Sequence, residues 1–173
     1  MINAHRNPLV FAAAALLSVG LAGPAAADET VKATHGAWEV RCNEADLCEM
    51  TQTYKNDEGV NLMRVSINKL SEARNVDGEE MVAVSRFHLA PVPVLIRSGV
   101  SVRIDEGDAF STPFVVCGKQ GCMTRSLMSQ DFLQNFRDGA TVELQALVET
   151  RDGPKALKAA ISLTGFTDAY GEL

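Results

Sequence analysis

Residues 141–164 read TVELQALVETRDGPKALKAAISLT, and the fold class turns on them. Thr141 to Thr150 and Lys155 to Thr164 flank Asp152-Gly153, the strongest short hairpin signal in the chain, because this dipeptide favours the positive backbone angles of a tight two-strand turn. The rest of the sequence repeats the period of two. Trp38, Val40 and Cys42 alternate with Glu39 and Arg41, which reads as a half-buried strand opening after Gly36. A second run covers Cys48 to Tyr54 and stops at the polar turn Asn56-Asp57-Glu58-Gly59. From Leu62 to Leu70, Met63, Val65 and Ile67 share one face while Arg64, Ser66 and Asn68 share the other. Asp77-Gly78 closes the next turn, and Met81 to Leu89 makes the following strand. Pro91 and Pro93 interrupt the ladder, since proline donates no backbone hydrogen bond. Val100, Val102 and Ile104 then alternate into the turn Asp105-Glu106-Gly107-Asp108, and Phe114 to Cys117 and Cys122 to Leu127 form two arms around a short loop.

One helix interrupts this pattern. Ser129 can cap its start, Asp131 lies in the first turn where the helix dipole favours an anion, and Gly139 is placed to end it. Phe132 and Phe136 share a face at i, i+4, with Leu133 alongside. Many short strands with one short helix predict a mainly β fold, either a β-sandwich or a partly open barrel.

The first 27 residues carry the pattern of a secretory signal peptide. His5 and Arg6 supply a weakly positive start, Leu9 to Leu21 an apolar core, and Ala25-Ala26-Ala27 a small-residue cleavage site before Asp28. The apolar stretch is shorter than the roughly twenty residues that span a bilayer. Cleavage between Ala27 and Asp28 leaves residues 28–173, expected to form one β-rich domain with no transmembrane segment. Losing Arg6 moves the formal charge from −6 to −7. An acidic domain without a Lys/Arg cluster lacks the footprint of a nucleic-acid binder.

Four cysteines, Cys42, Cys48, Cys117 and Cys122, fall in two tight pairs. In an oxidising compartment an even count predicts disulfides, and of the three connectivities possible the two local ones fit best, each closing a hairpin-like reversal. Gly118 and Gly121 supply the turn inside the second loop. Loops this short contribute only about 2 kcal/mol each in the chain-entropy model, so the bridges pin turns. Zinc sites and redox-active pairs usually space their cysteines more closely.

Catalytic patterns are sparse. The histidines beyond the signal are His35, expected in a frayed N-terminal segment, and His88, one residue out of phase with Phe87 on its strand. No nucleophile elbow accompanies either. Asp105, Glu106 and Asp108 cluster without the spacing of a calcium loop and read as a solvated turn. Trp38, the only tryptophan, alternates in phase with Val40 and Cys42 and belongs in the core. No cofactor is expected.

Four motifs in order complete the picture: Gly36-x-Trp38-x-Val40-x-Cys42, then Gly99-Val100-Ser101-Val102-Arg103-Ile104-Asp105, then Pro113-Phe114-x-x-Cys117-x-x-x-Gly121-Cys122, and finally Ser162-Leu163-x-Gly165-Phe166-x-x-Ala169-Tyr170. Together with both cysteine pairs they resemble the invasion-associated locus B family. The segment from Asn56 to Ala90 carries little of the likeness, and Arg97 stands where members often show proline. The resemblance implies a small, mostly β, exported protein of bacterial envelopes without known catalytic residues, whose founding members are associated with host-cell invasion. A non-enzymatic protein that binds an envelope or host protein is the expected function, with a periplasmic enzyme or enzyme inhibitor as the rival. The expected location is the periplasm, the outer membrane or the exterior. At the C-terminus, Leu163 should continue the last strand inward, Gly165 should turn the backbone, and Phe166 and Tyr170 should meet on a single helical turn.

Export at this site has a direct test. Intact-mass measurement of protein from the envelope fraction should give a chain starting at Asp28; a mass that includes residues 1–27 would contradict it.

Overall fold

The period-two runs become two facing antiparallel sheets in the computed structural model, which describes residues 30–173. The cleavage site at Ala27 and Asp28 lies outside the described residues. In chain order the strands are β1 (Thr30–His35), β2 (Trp38–Cys42), β3 (Cys48–Lys55), β4 (Asn61–Val76), β5 (Glu79–Leu89), β6 (Val100–Ile104), β7 (Phe110–Thr112), β8 (Phe114–Gly118), β9 (Gly121–Thr124), β10 (Ser126–Ser129), β11 (Thr141–Val148) and β12 (Lys155–Ser162). The larger sheet runs β1-β2-β3-β4-β5-β9-β8, with β10 also paired to β5, and the smaller one runs β12-β11-β6-β7. The architecture is therefore a sandwich of two sheets and not a closed barrel.

The inward faces are those the alternation selects. Trp38, Val40 and Cys42 on β2, Met63, Val65 and Ile67 on β4, and Val142, Leu144 and Ala146 on β11 are all buried in one core. The hairpin read from Asp152-Gly153 joins β11 to β12 in continuous register from Thr141↔Ser162 to Val148↔Lys155. β4 runs to Val76, well past its expected end, and its last residues pair with the start of β5 in an exposed arm, as Val76↔Glu79. His35 is not frayed: it ends β1, paired with Trp38. Cys42 is bonded to Cys48 and Cys117 to Cys122, and both bridges join directly opposed residues of neighbouring strands.

Two helices accompany the sheets where the sequence pattern shows one helix and a single turn. In α1 (Gln130–Asp138) the Ser129 hydroxyl accepts a hydrogen bond from the Phe132 amide at 3.3 Å, and Leu133 and Phe136 are buried. Gly139 ends the helix as its position predicts, its amide donating to the Asn135 carbonyl at 3.0 Å. Gly139 has φ −77°, so it is not a left-handed cap. It is needed for space: a Cβ there would stand 2.7 Å from Ile104 Cγ2. α2 (Phe166–Gly171) buries Phe166, Ala169 and Tyr170.

The sheets are tied together at the backbone of Ser162. Trp38 Nε1 and Gln52 Nε2 each donate to the Ser162 carbonyl at 2.9 Å, and the Ser162 amide donates to Gln52 Oε1 at 3.1 Å. Beyond Ser162 the chain turns at Gly165, φ +83°, against the β1–β2 turn at Gly36, φ +60°. The approach is mutual: a Cβ on Gly165 would lie 2.4 Å from the His35 carbonyl oxygen, and one on Gly36 would lie 2.4 Å from that of Thr164. At the opposite edge the hydroxyls of Thr112 on β7 and Ser126 on β10 share a hydrogen bond of 2.6 Å.

This contact predicts a specific sensitivity. Gly165→Ala combines left-handed strain with a backbone clash and should cost on the order of 2 kcal/mol or more, lowering Tm by about 5 °C. Gly153→Ala, at φ +97° but with nothing within 4 Å, should cost only the strain. Equal melting of Gly165→Ala and the parent protein would contradict the packing described.

Candidate functional site

An unbroken run of aromatic rings leads from the core to the surface. Trp38 meets Phe166 edge-on at 5.4 Å between centroids, Phe166 meets Phe136 at 5.5 Å, Phe136 meets Phe132 at 5.2 Å, and Phe132 meets Phe110 at 5.0 Å. Edge-to-face contacts of this kind add to the energy of burial. The first rings are fully buried, Phe132 is half-buried, and Phe110 is 37% exposed. Phe110 comes from β7 at the margin of the small sheet and Phe132 from the first turn of α1.

Two open clefts meet at this last pair of rings. One, of about 560 Å³, lies between the β6–β7 turn and α1, with Asp105, Asp108 and Asp138 on its walls. The other, of about 350 Å³, runs between β7 and β10 and reaches Glu79, Met81 and Leu127. Among the described residues, the combined groove is lined by four carboxylates and by no lysine or arginine. Asp105 also has a structural task that the sequence pattern does not reveal. It sits at φ +47°, and its carboxylate accepts the amides of Ala140, at 3.0 Å, and Thr141, at 2.8 Å, fixing the β6–β7 turn to the loop after α1. The turn read as merely solvated is thus a wall of the groove, although its carboxylates remain exposed.

The hydroxyls in this groove are all engaged. Thr112 and Ser126 bond each other, the Ser111 hydroxyl donates to the Ser98 carbonyl at 3.1 Å, and Ser129 caps α1. The histidines are elsewhere. His88 lies on the outer face of the large sheet opposite Arg64, beside a smaller cleft of about 300 Å³. His35 lies 3.9 Å from Glu172. Among the described residues no group of three His, Cys, Asp or Glu side chains is placed to hold a metal ion. No described helix is long and apolar enough to cross a membrane.

A further cleft, about 640 Å³, is bordered by Lys69, Arg86 and Arg125 together with Asp46, near the first disulfide and Leu173. Close by, the Tyr170 ring stacks on Phe166 with 12° between planes and is approached by Lys69 Nζ at 5.5 Å and the Arg137 guanidinium at 5.2 Å. Burial pushes the Tyr170 hydroxyl above its ordinary pKa of 10.0, and the charge of Arg137 pulls the other way. Because the folded pKa is the higher one, this group's contribution to stability is full below pH 10.0 and is lost as the pH rises through the folded value. Tyr170→Phe should therefore flatten the alkaline fall in urea midpoint while leaving neutral stability nearly unchanged. Parallel alkaline losses in the two proteins would show that Tyr170 is not the group responsible.

Of the groove's two aromatic residues, the sequence pattern singles out Phe132 on its helix face and passes over Phe110, and nothing local pairs the two. The model of the family described as invasion associated locus B (IalB) protein matches residues 38–173. Among solved structures, the crystal structure of invasion associated protein B from Bartonella henselae is similar, with a TM-score of 0.64 over 80% of this chain and 92% of that one at 20% identity. Identity that low speaks for a shared fold. No curated protein matches the chain. Four ordered motifs, both local disulfides, the two-sheet architecture and a match from Trp38 to Leu173 lead to one assignment: the chain belongs to the invasion-associated locus B family.

Proposed function

We propose that this protein is an exported, non-enzymatic binding protein of the cell envelope that engages a protein partner through the groove around Phe110 and Phe132. Its location is the periplasm, the outer membrane or the exterior, and its partner is an envelope or host protein, in keeping with the link to invasion in the family's name. The observation that carries the reading is the exposed Phe110 ring at the junction of two open clefts. A large aromatic side chain held at the surface by packed rings beneath it is a rigid anchor, the kind of residue on which interface energy concentrates. Clefts of this size could equally hold a substrate. Against that, the groove offers no histidine, cysteine or lysine, and its hydroxyls are engaged in the fold. Two disulfides support export, because local bridges of this kind persist in oxidising compartments.

A photo-crosslinking residue at position 109, activated in intact envelopes, should yield a discrete adduct that Phe110→Ser suppresses. The same residue at position 58, in the distant β3–β4 turn, should yield none. Adducts of equal intensity at both positions would refute the groove as the binding face.

A further inference from the structure

We propose that the groove takes an extended segment of a partner protein that carries arginine or lysine side chains interspersed with apolar ones. The proposal rests on the binding reading above and names the chemistry of the partner. Its basis is a charge that the fold leaves unanswered. Asp105 is engaged with the Ala140 and Thr141 amides, and Asp138 accepts one bond from Gln134 at 2.9 Å. Asp108 and Glu79 have no ion pair among the described residues, nor do the other two. Asp138 is also oddly placed for stability. It is the last residue of α1, where the helix dipole disfavours an anion, so the charge itself works against the helix that its bond from Gln134 supports.

The apolar and charged features are interleaved. Phe110 and Phe132 stand between the Asp108/Asp138 lobe and the Glu79/Leu127 lobe. An extended strand sends successive side chains to opposite sides. A basic side chain on such a strand can lay its alkyl stem and charged head over a phenylalanine ring and finish at a carboxylate. An apolar neighbour can meet Leu127 or Met81. The chain's formal charge of −6 adds a long-range attraction for basic segments.

The test uses purified protein and a short capped peptide of alternating arginine and leucine, followed by amide chemical shifts and by anisotropy titration. Shifts should concentrate in residues 107–112 and 132–139. Asp108→Asn with Asp138→Asn should weaken binding roughly tenfold, as expected for the loss of two exposed ion pairs. Rising salt should weaken it further, and a peptide with glutamate in place of arginine should not bind. The variant should melt no lower than the parent, since neither carboxylate is ion-paired and an asparagine at 138 can still accept the bond from Gln134. Equal affinity for the glutamate peptide, unchanged affinity of the double variant, or shifts confined to other faces would each overturn the proposal. Should position 109 crosslink to a partner that the arginine peptide fails to displace, the binding face stands and the basic segment falls. Absence of both crosslink and peptide binding would remove the binding reading itself.

Discussion

Two side chains of the large sheet converge on the backbone of a single residue of the small one, Ser162, and the arrangement of the molecule follows from that junction. Trp38 and Gln52 both donate to the Ser162 carbonyl, and Gln52 accepts the Ser162 amide in return. A buried amide pair left unmatched would cost more than the bonds contribute when made, so the junction specifies alignment more than it adds stability. It sets the end of β12 above β2 and β3, which places the turn at Gly165 against the turn at Gly36. From there α2 can fold back only over the end of the sandwich. Phe166 arrives against Trp38, and the ring sequence through Phe136 and Phe132 to Phe110 is in place.

The surface groove is therefore a product of the core. Phe110 would be an isolated exposed ring without Phe132 beneath it, and Phe132 keeps its position because Phe136 and Leu133 anchor α1. Asp105 supplies the other restraint by binding the amides that follow α1. A groove built this way is rigid on its own, which would lower the entropy cost of the association proposed for it.

Much of the fold was legible in the sequence because strand alternation is written in residue type. Trp38, Val40 and Cys42 face inward as their pattern predicts, and the Asp152-Gly153 turn pairs β11 with β12 in full register. The C-terminal turn was also readable, since Gly165 followed by aromatics four apart has few other outcomes. What was not legible depends on contacts between distant elements. Gly139 reads as the end of its helix and is that, but the sequence does not show that Ile104 on β6 leaves no room there for a side chain. Asp105 looks like a turn carboxylate, and only the packing of α1 brings two amides to it. The groove is the clearest case: Phe132 reads as one face of a helix, Phe110 falls between two strand readings without a pattern of its own, and nothing in the sequence implies that they touch.

The proposed binding role requires that the aromatic, acidic groove be covered in the envelope. Hydroxyl-radical footprinting read by mass spectrometry, on the purified protein and on the protein in intact envelopes, measures that cover residue by residue. Phe110, Phe132 and Leu127 should lose reactivity in the envelope while His88 and Tyr54, outside the groove, keep theirs. Full reactivity of Phe110 in the envelope, with protection of the outer face around His88, would contradict it.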